Sequence, residues 1–307
     1  MKCRDLLSIA DLSLADIEEI FDVTWELKER HSKGHDEKCL NGKILGMIFE
    51  KSSMRTRVSF EVAMLQLGGH AIYLTQNDIN LGKREAVKDG ARVLSRYVEG
   101  IVIRTFGHDT IQELARYASI PVINALSDYL HPCQALTDMY TIKEKFGTYA
   151  HVKIAFIGDG NNVARSLAQI CAKLGLHFYV ASPKGYELTA DFIAKTKQMA
   201  GGNDLIHLYH DPKDAAESAQ VLYTDTWVSM GQEAEIDARQ EAFRGFQINN
   251  DILKLAKNDV KVMHCLPAHR GEEITDEVID GPHSVVYDQA ENRLHVEKAL
   301  LKLFLRK

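Results

Sequence analysis

The feature that most constrains this chain is a rhythm of short apolar runs separated by helix-patterned stretches, played twice. Strand-like runs at 43–49, 71–74, 100–104 and 121–124 alternate with helical patterns near 58–67, 85–97, 110–118 and 134–146. Parallel strands cannot be joined by a hairpin and need crossovers of this kind, so the rhythm predicts a mainly parallel sheet with helices on both faces. It restarts after Gly147-Thr148-Tyr149, with strands expected at 152–157, 178–181, 205–209, 221–224 and 260–265. The fold class is therefore α/β, in two domains of similar size, 1–147 and 148–291. An amphipathic helix over 13–33, with Ser13 as N-cap, opens the chain, and a helix over about 292–305 closes it.

A length of 307 residues suits two such domains. With Lys and Arg totalling 37 against 43 Asp and Glu, the net charge is -6. A mildly acidic chain has no general footprint for nucleic acid or an anionic membrane, so a bound anion must meet a local basic cluster. The five cysteines (Cys3, Cys39, Cys133, Cys171, Cys265) are odd in number and scattered, which argues against a disulfide framework or a zinc ribbon and for a reducing cytoplasm. No apolar leader opens the sequence and no segment approaches 18 uninterrupted apolar residues, so neither export nor a membrane span is expected.

In open α/β sheets ligands sit beyond the carboxyl ends of strands, which is where the informative motifs fall. After 43–49 comes Ser52-Ser53-Met54-Arg55-Thr56-Arg57 and then a helix. Arginines in a first turn oppose the macrodipole unless an anion sits among them, the hydroxyls and the backbone N–H groups, which describes a phosphate cradle. The strand at 100–104 ends in Arg104-Thr105, where a buried-strand arginine needs an anionic ligand or a structural carboxylate. In His131-Pro132-Cys133-Gln134 the spacing lets a neutral His polarise a carbonyl while Gln receives an amide NH₂; a plain helix cap with a buried His is the alternative.

The second half opens Gly158-Asp159-Gly160-Asn161-Asn162, the G-x-G of a dinucleotide fold without its third glycine. No acid ends the next strand to take a ribose hydroxyl, which weakens a nicotinamide assignment and leaves a tight turn presenting Asn162. Asp225-Thr226-Trp227-Val228-Ser229-Met230-Gly231 could hold an ammonium group, or Asp225 could cap a helix. His264-Cys265-Leu266-Pro267-Ala268-His269 invites a metal assignment, but strand alternation would turn His264 and Cys265 to opposite faces, so no metal is expected. Arg293 is expected at the start of the last helix, again against the dipole.

Taken in order, Ser53-x-Arg55-Thr56-Arg57, Arg104-Thr105, His131-Pro132-x-Gln134, Asp225-x-x-x-Ser229-Met230-Gly231 and His264-Cys265-Leu266-Pro267 resemble the aspartate/ornithine carbamoyltransferase family, and within it the ornithine type. The first three motifs are the superfamily's carbamoyl phosphate marks; the last two select ornithine. The resemblance implies an active site in the cleft between the domains, a first domain that holds carbamoyl phosphate with the closing helix (292–307) packed back on it, and a second domain for ornithine. It also implies a homotrimer or multiple of trimers, with no metal and no organic cofactor.

Carried over by position, Ser53, Met54, Arg55, Thr56, Arg57 and Arg104 would hold the phosphate. Thr56, Arg104 and His131 would bond the carbamoyl oxygen, and Gln134, the Cys265-Leu266 backbone and Arg293 the carbamoyl NH₂. Asn162 and the Met230 backbone would take the ornithine α-carboxylate, Asp225 and Ser229 its α-ammonium, with Leu126 lining the pocket and Cys265 beside the reacting amine. Arg104, His131 and Cys265 are thus the catalytic candidates. Where the family's loop usually reads Gln-Leu-Gly-Arg-Gly-Glu, this chain has Asn80-Leu81-Gly82-Lys83-Arg84-Glu85, so a side chain one methylene shorter would reach a neighbouring subunit's carbamoyl phosphate.

The implied reaction is attack of the ornithine δ-amine on carbamoyl phosphate, giving citrulline and phosphate. A sister transferase for putrescine, aspartate or acylated ornithine, a nicotinamide dehydrogenase and a non-catalytic metabolite sensor are the competitors.

Overall fold

The structure, a computed structural model, describes residues 3–79 and 81–306. It contains two wholly parallel sheets flanked by helices. The chain forms two compact units, one from the chain up to Tyr140 together with the chain from Glu291 onward, the other Thr141–Ala290.

The first unit opens with α1 (Leu14–Ser32), whose N-cap Ser13 and Asp16 form a capping box. Next come β1 (Ile44–Phe49), α2 (Met54–Gln66), β2 (His70–Thr75), α3 (Val87–Leu94), β3 (Gly100–Arg104), α4 (His108–Tyr117), β4 (Val122–Leu126) and α5 (Pro132–Phe146). The strand order is β2-β1-β3-β4. Internal strands of a parallel sheet are covered on both faces and read as unbroken apolar runs, and β1 and β3 are buried almost end to end. The edge strand β2 stays half exposed. Ile48, Ile101, Ile103, Ile111, Leu114 and Val122 belong to one apolar cluster against this sheet.

The second unit runs β5 (Ile154–Ile157), α6 (Asn162–Leu174), β6 (Phe178–Ala181), α7 (Ala190–Met199), β7 (Ile206–Tyr209), α8 (Pro212–Ala216), β8 (Val221–Thr224), α9 (Ile236–Ala242), α10 (Asn250–Leu253), β9 (Lys261–His264) and α11 (Asp276–Ile279). Its order is β7-β6-β5-β8-β9, and its core gathers Ile157, Leu222, Phe243, Ile248 and Val262. The last helix, α12 (Val286–Leu305), begins six residues before the expected start and carries the chain back into the first unit. Its buried face includes Gln289, Asn292, His295, Glu297 and Lys298, so polar residues interrupt the apolar periodicity that would have marked its first turns.

In each sheet the connections reverse direction once, and these switch points open a crevice beyond the strand ends. They lie between β1 and β3 in the first unit and between β5 and β8 in the second.

Candidate active site

In the first unit the residues after β1 enter α2 with Ser53 as N-cap: its hydroxyl accepts from the Thr56 N–H at 3.2 Å and donates to Thr56 Oγ1 at 3.2 Å. Met54 and Arg55 are the first helical residues, where backbone N–H groups lack intrahelical acceptors and the macrodipole favours an anion. Arg57 points elsewhere. Its Nε donates to Glu61 Oε1 at 2.9 Å, one turn along the same helix, and its guanidinium lies 3.9 Å from the Tyr73 ring centre. Arg57 is therefore not grouped with the Ser53 and Thr56 hydroxyls. Met54 is exposed, and Asn80 lies outside the described residues.

Arg104 ends β3 half-buried, just where the pairing with β4 slips, and Leu126 ends β4 half-buried. His131 is buried just before α5. Burial first, then the positive charges of Arg293, Arg104 and Arg55, hold its imidazole well below the usual histidine range, so it is neutral. The structure thus brings three of the candidate arginines into electrostatic reach of one neutral histidine.

Arg293 joins these elements. Its Nη1 donates to Gln134 Oε1 at 2.6 Å and approaches His131 Nε2 at 3.5 Å, while Nη2 reaches Thr56 Oγ1 at 3.4 Å. Its Nε and Nη2 donate to Glu297 Oε1 at 2.9 and 2.5 Å, and Gln134 Nε2 donates to Asp138 at 2.8 Å. Burial pushes the Glu297 carboxyl up, opposed mainly by Arg293. The expected position of Arg293 needs correction: it sits two turns inside α12, not at its start, and a buried carboxylate one turn on balances its charge. Glu297 and Asp138 carry no motif signal; only the i, i+4 spacing of each to its partner hints at them.

In the second unit Asp225 follows β8 and is buried. Its Oδ1 accepts from the Cys265 thiol at 3.0 Å and the Thr226 N–H at 2.9 Å, and its Oδ2 from Asn161 Nδ2 at 2.8 Å. Sequence reasoning chose Asn162, the half-buried first residue of α6; Asn161, the cap before it, is the one that touches Asp225. Ser229 and Met230 lie on the segment after Asp225, with the Ser229 N–H donating to Gln232 Oε1 at 3.0 Å and Met230 exposed. Arg239, also unmarked in the sequence, is buried. Its Nη1 donates to Asp159 at 2.8 Å and to the Trp227 carbonyl at 3.0 Å.

Beyond β9, Leu266 adopts φ 58, a left-handed conformation costing an L-residue roughly 1–2 kcal/mol. Its N–H donates to His264 Nδ1 at 2.8 Å, which holds the backbone just after Cys265. The expectation that His264 and Cys265 face apart fails, because β9 ends at His264 and alternation does not extend to Cys265. Asp225, His264 and Cys265 present atoms within 4.8 Å of one another. The donor chemistry still disfavours a cation: His264 Nδ1 accepts from Leu266, so Nε2 carries the proton and donates to Glu273 at 3.0 Å, leaving no lone pair to coordinate. Nor is Gly160 shaped for a pyrophosphate. A Cβ there would lie 2.6 Å from the Glu187 and Leu188 backbone, so the glycine serves the chain's own close packing.

Comparison with known proteins matches the two halves of the chain to two family profiles, the second of which runs on through most of α12. The profile described as "Aspartate/ornithine carbamoyltransferase, carbamoyl-P binding domain" matches residues 4–144, and its "Asp/Orn binding domain" counterpart matches 150–304. An ornithine carbamoyltransferase of Halalkalibacterium halodurans is 52% identical over 307 residues, 99% of this chain and 96% of the relative. One from Pyrococcus abyssi is 53% identical over 308 residues, again 99% and 96%. The solved ornithine carbamoyltransferase of Pyrococcus furiosus superposes with a TM-score of 0.95 at 52% identity, covering 98% of this chain and 97% of that one.

Proposed function

We infer the activity from one premise: the chain belongs to the aspartate/ornithine carbamoyltransferase family. It is an ornithine carbamoyltransferase by activity, converting carbamoyl phosphate and L-ornithine to L-citrulline and phosphate. The observation that carries the chemistry is the buried, neutral His131 within the field of Arg55, Arg104 and Arg293.

Carbamoyl phosphate binds with its phosphate at the start of α2, on the Ser53–Thr56 backbone and hydroxyls with Arg55 and Arg104. Arg57 joins it by leaving Glu61 and Tyr73, contacts that together are worth only about 1 kcal/mol on an exposed side chain. Thr56, Arg104 and neutral His131 donate to the carbamoyl oxygen as it gains charge, while Gln134 Oε1, held by Arg293, and the Cys265-Leu266 backbone accept from the NH₂ group. Preorganised donors of this kind are each worth about 3 kcal/mol of barrier in other enzymes.

Ornithine is held by its α-groups, the ammonium on Asp225 and Ser229 and the carboxylate on Asn162 and the Met230 N–H, with Leu126 against its stem. Its neutral δ-amine attacks the carbonyl carbon, a tetrahedral intermediate forms, the C–O bond to phosphate breaks and the amine proton passes to the departing phosphate. Cys265 donates to Asp225 and positions it; the amine is already the nucleophile, so no covalent enzyme intermediate is needed. The rate rises from about pH 6 to above 8, since a free alkylamine titrates near ~10. A colorimetric citrulline assay with both substrates tests the assignment, and no product from folded protein would refute it.

A homotrimer, or a multiple of trimers, is the assembly we favour. Met54, Val58 and Leu65 form an exposed apolar line on α2, and subunit association would bury it. Asn80 would then reach a neighbouring subunit's carbamoyl phosphate. Light scattering behind size exclusion reads the mass directly. A cytoplasmic location suits five cysteines that are all unpaired thiols, and no helix among the described residues is long and apolar enough to cross a membrane.

A further inference from the structure

We propose that Asn161 is a positioning residue: it orients the Asp225 carboxylate for an α-ammonium group and so sets the preference for an α-amino acid over a plain diamine. The inference rests on the ornithine assignment above and deepens it.

Both ends of the buried Asn161 amide are committed. Oδ1 caps α6, accepting from the Val163 N–H at 2.9 Å and the Ala164 N–H at 3.1 Å. Because two backbone donors face that atom, the other end must be the NH₂, and it donates to Asp225 Oδ2 at 2.8 Å. An ionised carboxylate offers about four lone-pair sites. Thr226 and Cys265 fill the two on Oδ1, and Asn161 takes one on Oδ2. Among the described residues one site on Oδ2 remains, in a direction set by the other three. Donors on both oxygens fix the rotation of the carboxylate about its last torsion, which a single donor would not. The cap, meanwhile, anchors Asn161 to α6, so the aim of Asp225 is referred to a thirteen-residue helix rather than to a loop.

The same turn is tied down a second time. Asp159, on the other side of Gly160, pairs with Arg239, which also takes the Trp227 carbonyl. Both polar side chains flanking that glycine are thus spent on the segment that follows β8.

Asn161→Ser separates the two duties, since serine keeps a capping oxygen and lacks the amide donor. Relative to the unaltered enzyme, we expect an ornithine KM raised about tenfold or more, the scale of one hydrogen bond to a charged group. The carbamoyl phosphate KM and the melting temperature should hold. Carbamoylation of putrescine, which has no α-ammonium for Asp225 to meet, should keep its kcat/KM, so the ornithine-to-putrescine ratio falls about as far as ornithine does. Asn161→Asp, another good cap, should lower that ratio further by setting a second carboxylate against Asp225, and it serves if the serine variant does not fold. Equal losses on both amines, or no change in the ratio in either variant, would overturn the proposal while leaving the ornithine assignment intact. If the unaltered enzyme uses putrescine as well as ornithine, both fall together.

Discussion

The two half-sites solve opposite electrostatic problems by opposite means. In the first unit a cation, Arg293, is buried together with its own counter-charge, Glu297, and shares polar partners with His131, Gln134 and Thr56. In the second unit an anion, Asp225, is buried against three donors that are all neutral: an amide, a backbone N–H and a thiol. An arginine held by a carboxylate is stiff, balanced and present before any ligand arrives. A carboxylate held by dipoles has no counter-charge of its own, and under the proposed function the substrate's ammonium supplies one. The first arrangement suits a ligand whose charge is spread over several oxygens; the second suits one ammonium group, whose absence would leave a charge unmet.

The largest test of this contrast is Arg293→Met. Removing one partner of a buried ion pair leaves the other uncompensated and typically costs about 3–5 kcal/mol. Denaturant unfolding should show that loss, and activity should vanish with it. Adding Glu297→Met should restore most of the stability without restoring turnover, because the burden is removed but the donors to Gln134 and Thr56 are not replaced. A single variant as stable as the original would mean that the pair is not the first unit's internal balance.

Asp225→Asn should come next. It keeps the shape and deletes the charge, but it turns one of two acceptor atoms into an NH₂ that must face a donor, so stability falls by about 1–2 kcal/mol. The ornithine KM rises by roughly 100-fold, equivalent to about 3 kcal/mol. The carbamoyl phosphate KM should stay within about twofold, since that ligand's charges are met by arginines. Comparable losses on both substrates would erase the distinction between the half-sites.

Acid should weigh most heavily on the first unit. Burial, helped by Lys28 and Lys298, pulls His295 down to about 3, and His131 is depressed too. Between pH 6.5 and 3 the unfolded chain therefore binds a proton at His295 that the folded one refuses. Stability falls as pH drops through that window, by about 1.4 kcal/mol per unit for this one group. Melting temperatures of the unaltered protein and His295→Gln from pH 7 to 5 should diverge, with the variant flatter; parallel lines would contradict a buried neutral imidazole.

The smallest expected effect is at Arg57. Arg57→Gln should raise the carbamoyl phosphate KM about tenfold, one charge-assisted contact's worth, and leave the ornithine KM alone. An unchanged value would confine Arg57 to its pairing with Glu61 and Tyr73.

Legibility in the sequence followed burial. The runs that became β3 and β8 were read with their observed ends, because a strand covered on both faces has little choice but to be apolar from end to end. The start of α12 was not, since its core face is partly charged and the charges are neutralised by residues distant in sequence, such as Lys298 by Asp36. Arg57 illustrates a half-visible case: Glu61 lies on the same helix face and could be counted, whereas Tyr73 arrives from another element. The Asn161 cap is a local signal, two residues ahead of Val163-Ala164; its grip on Asp225, 64 residues further on, is purely tertiary.

The return of α12 to the first unit has a consequence for how the molecule is made. Translation delivers the chain from its amino end, and domains tend to fold as they emerge. The second unit is one uninterrupted stretch, Thr141–Ala290, so all of it is synthesised before the first unit has received its closing helix. Arg293 and Glu297 are synthesised after all of it. A nascent chain can therefore have Asp225 and its three donors in place while Gln134 and Thr56 still wait for their arginine. An incomplete polypeptide, stalled or clipped before Glu291, would keep the amine-recognising half and lack the group that joins the phosphate-binding one.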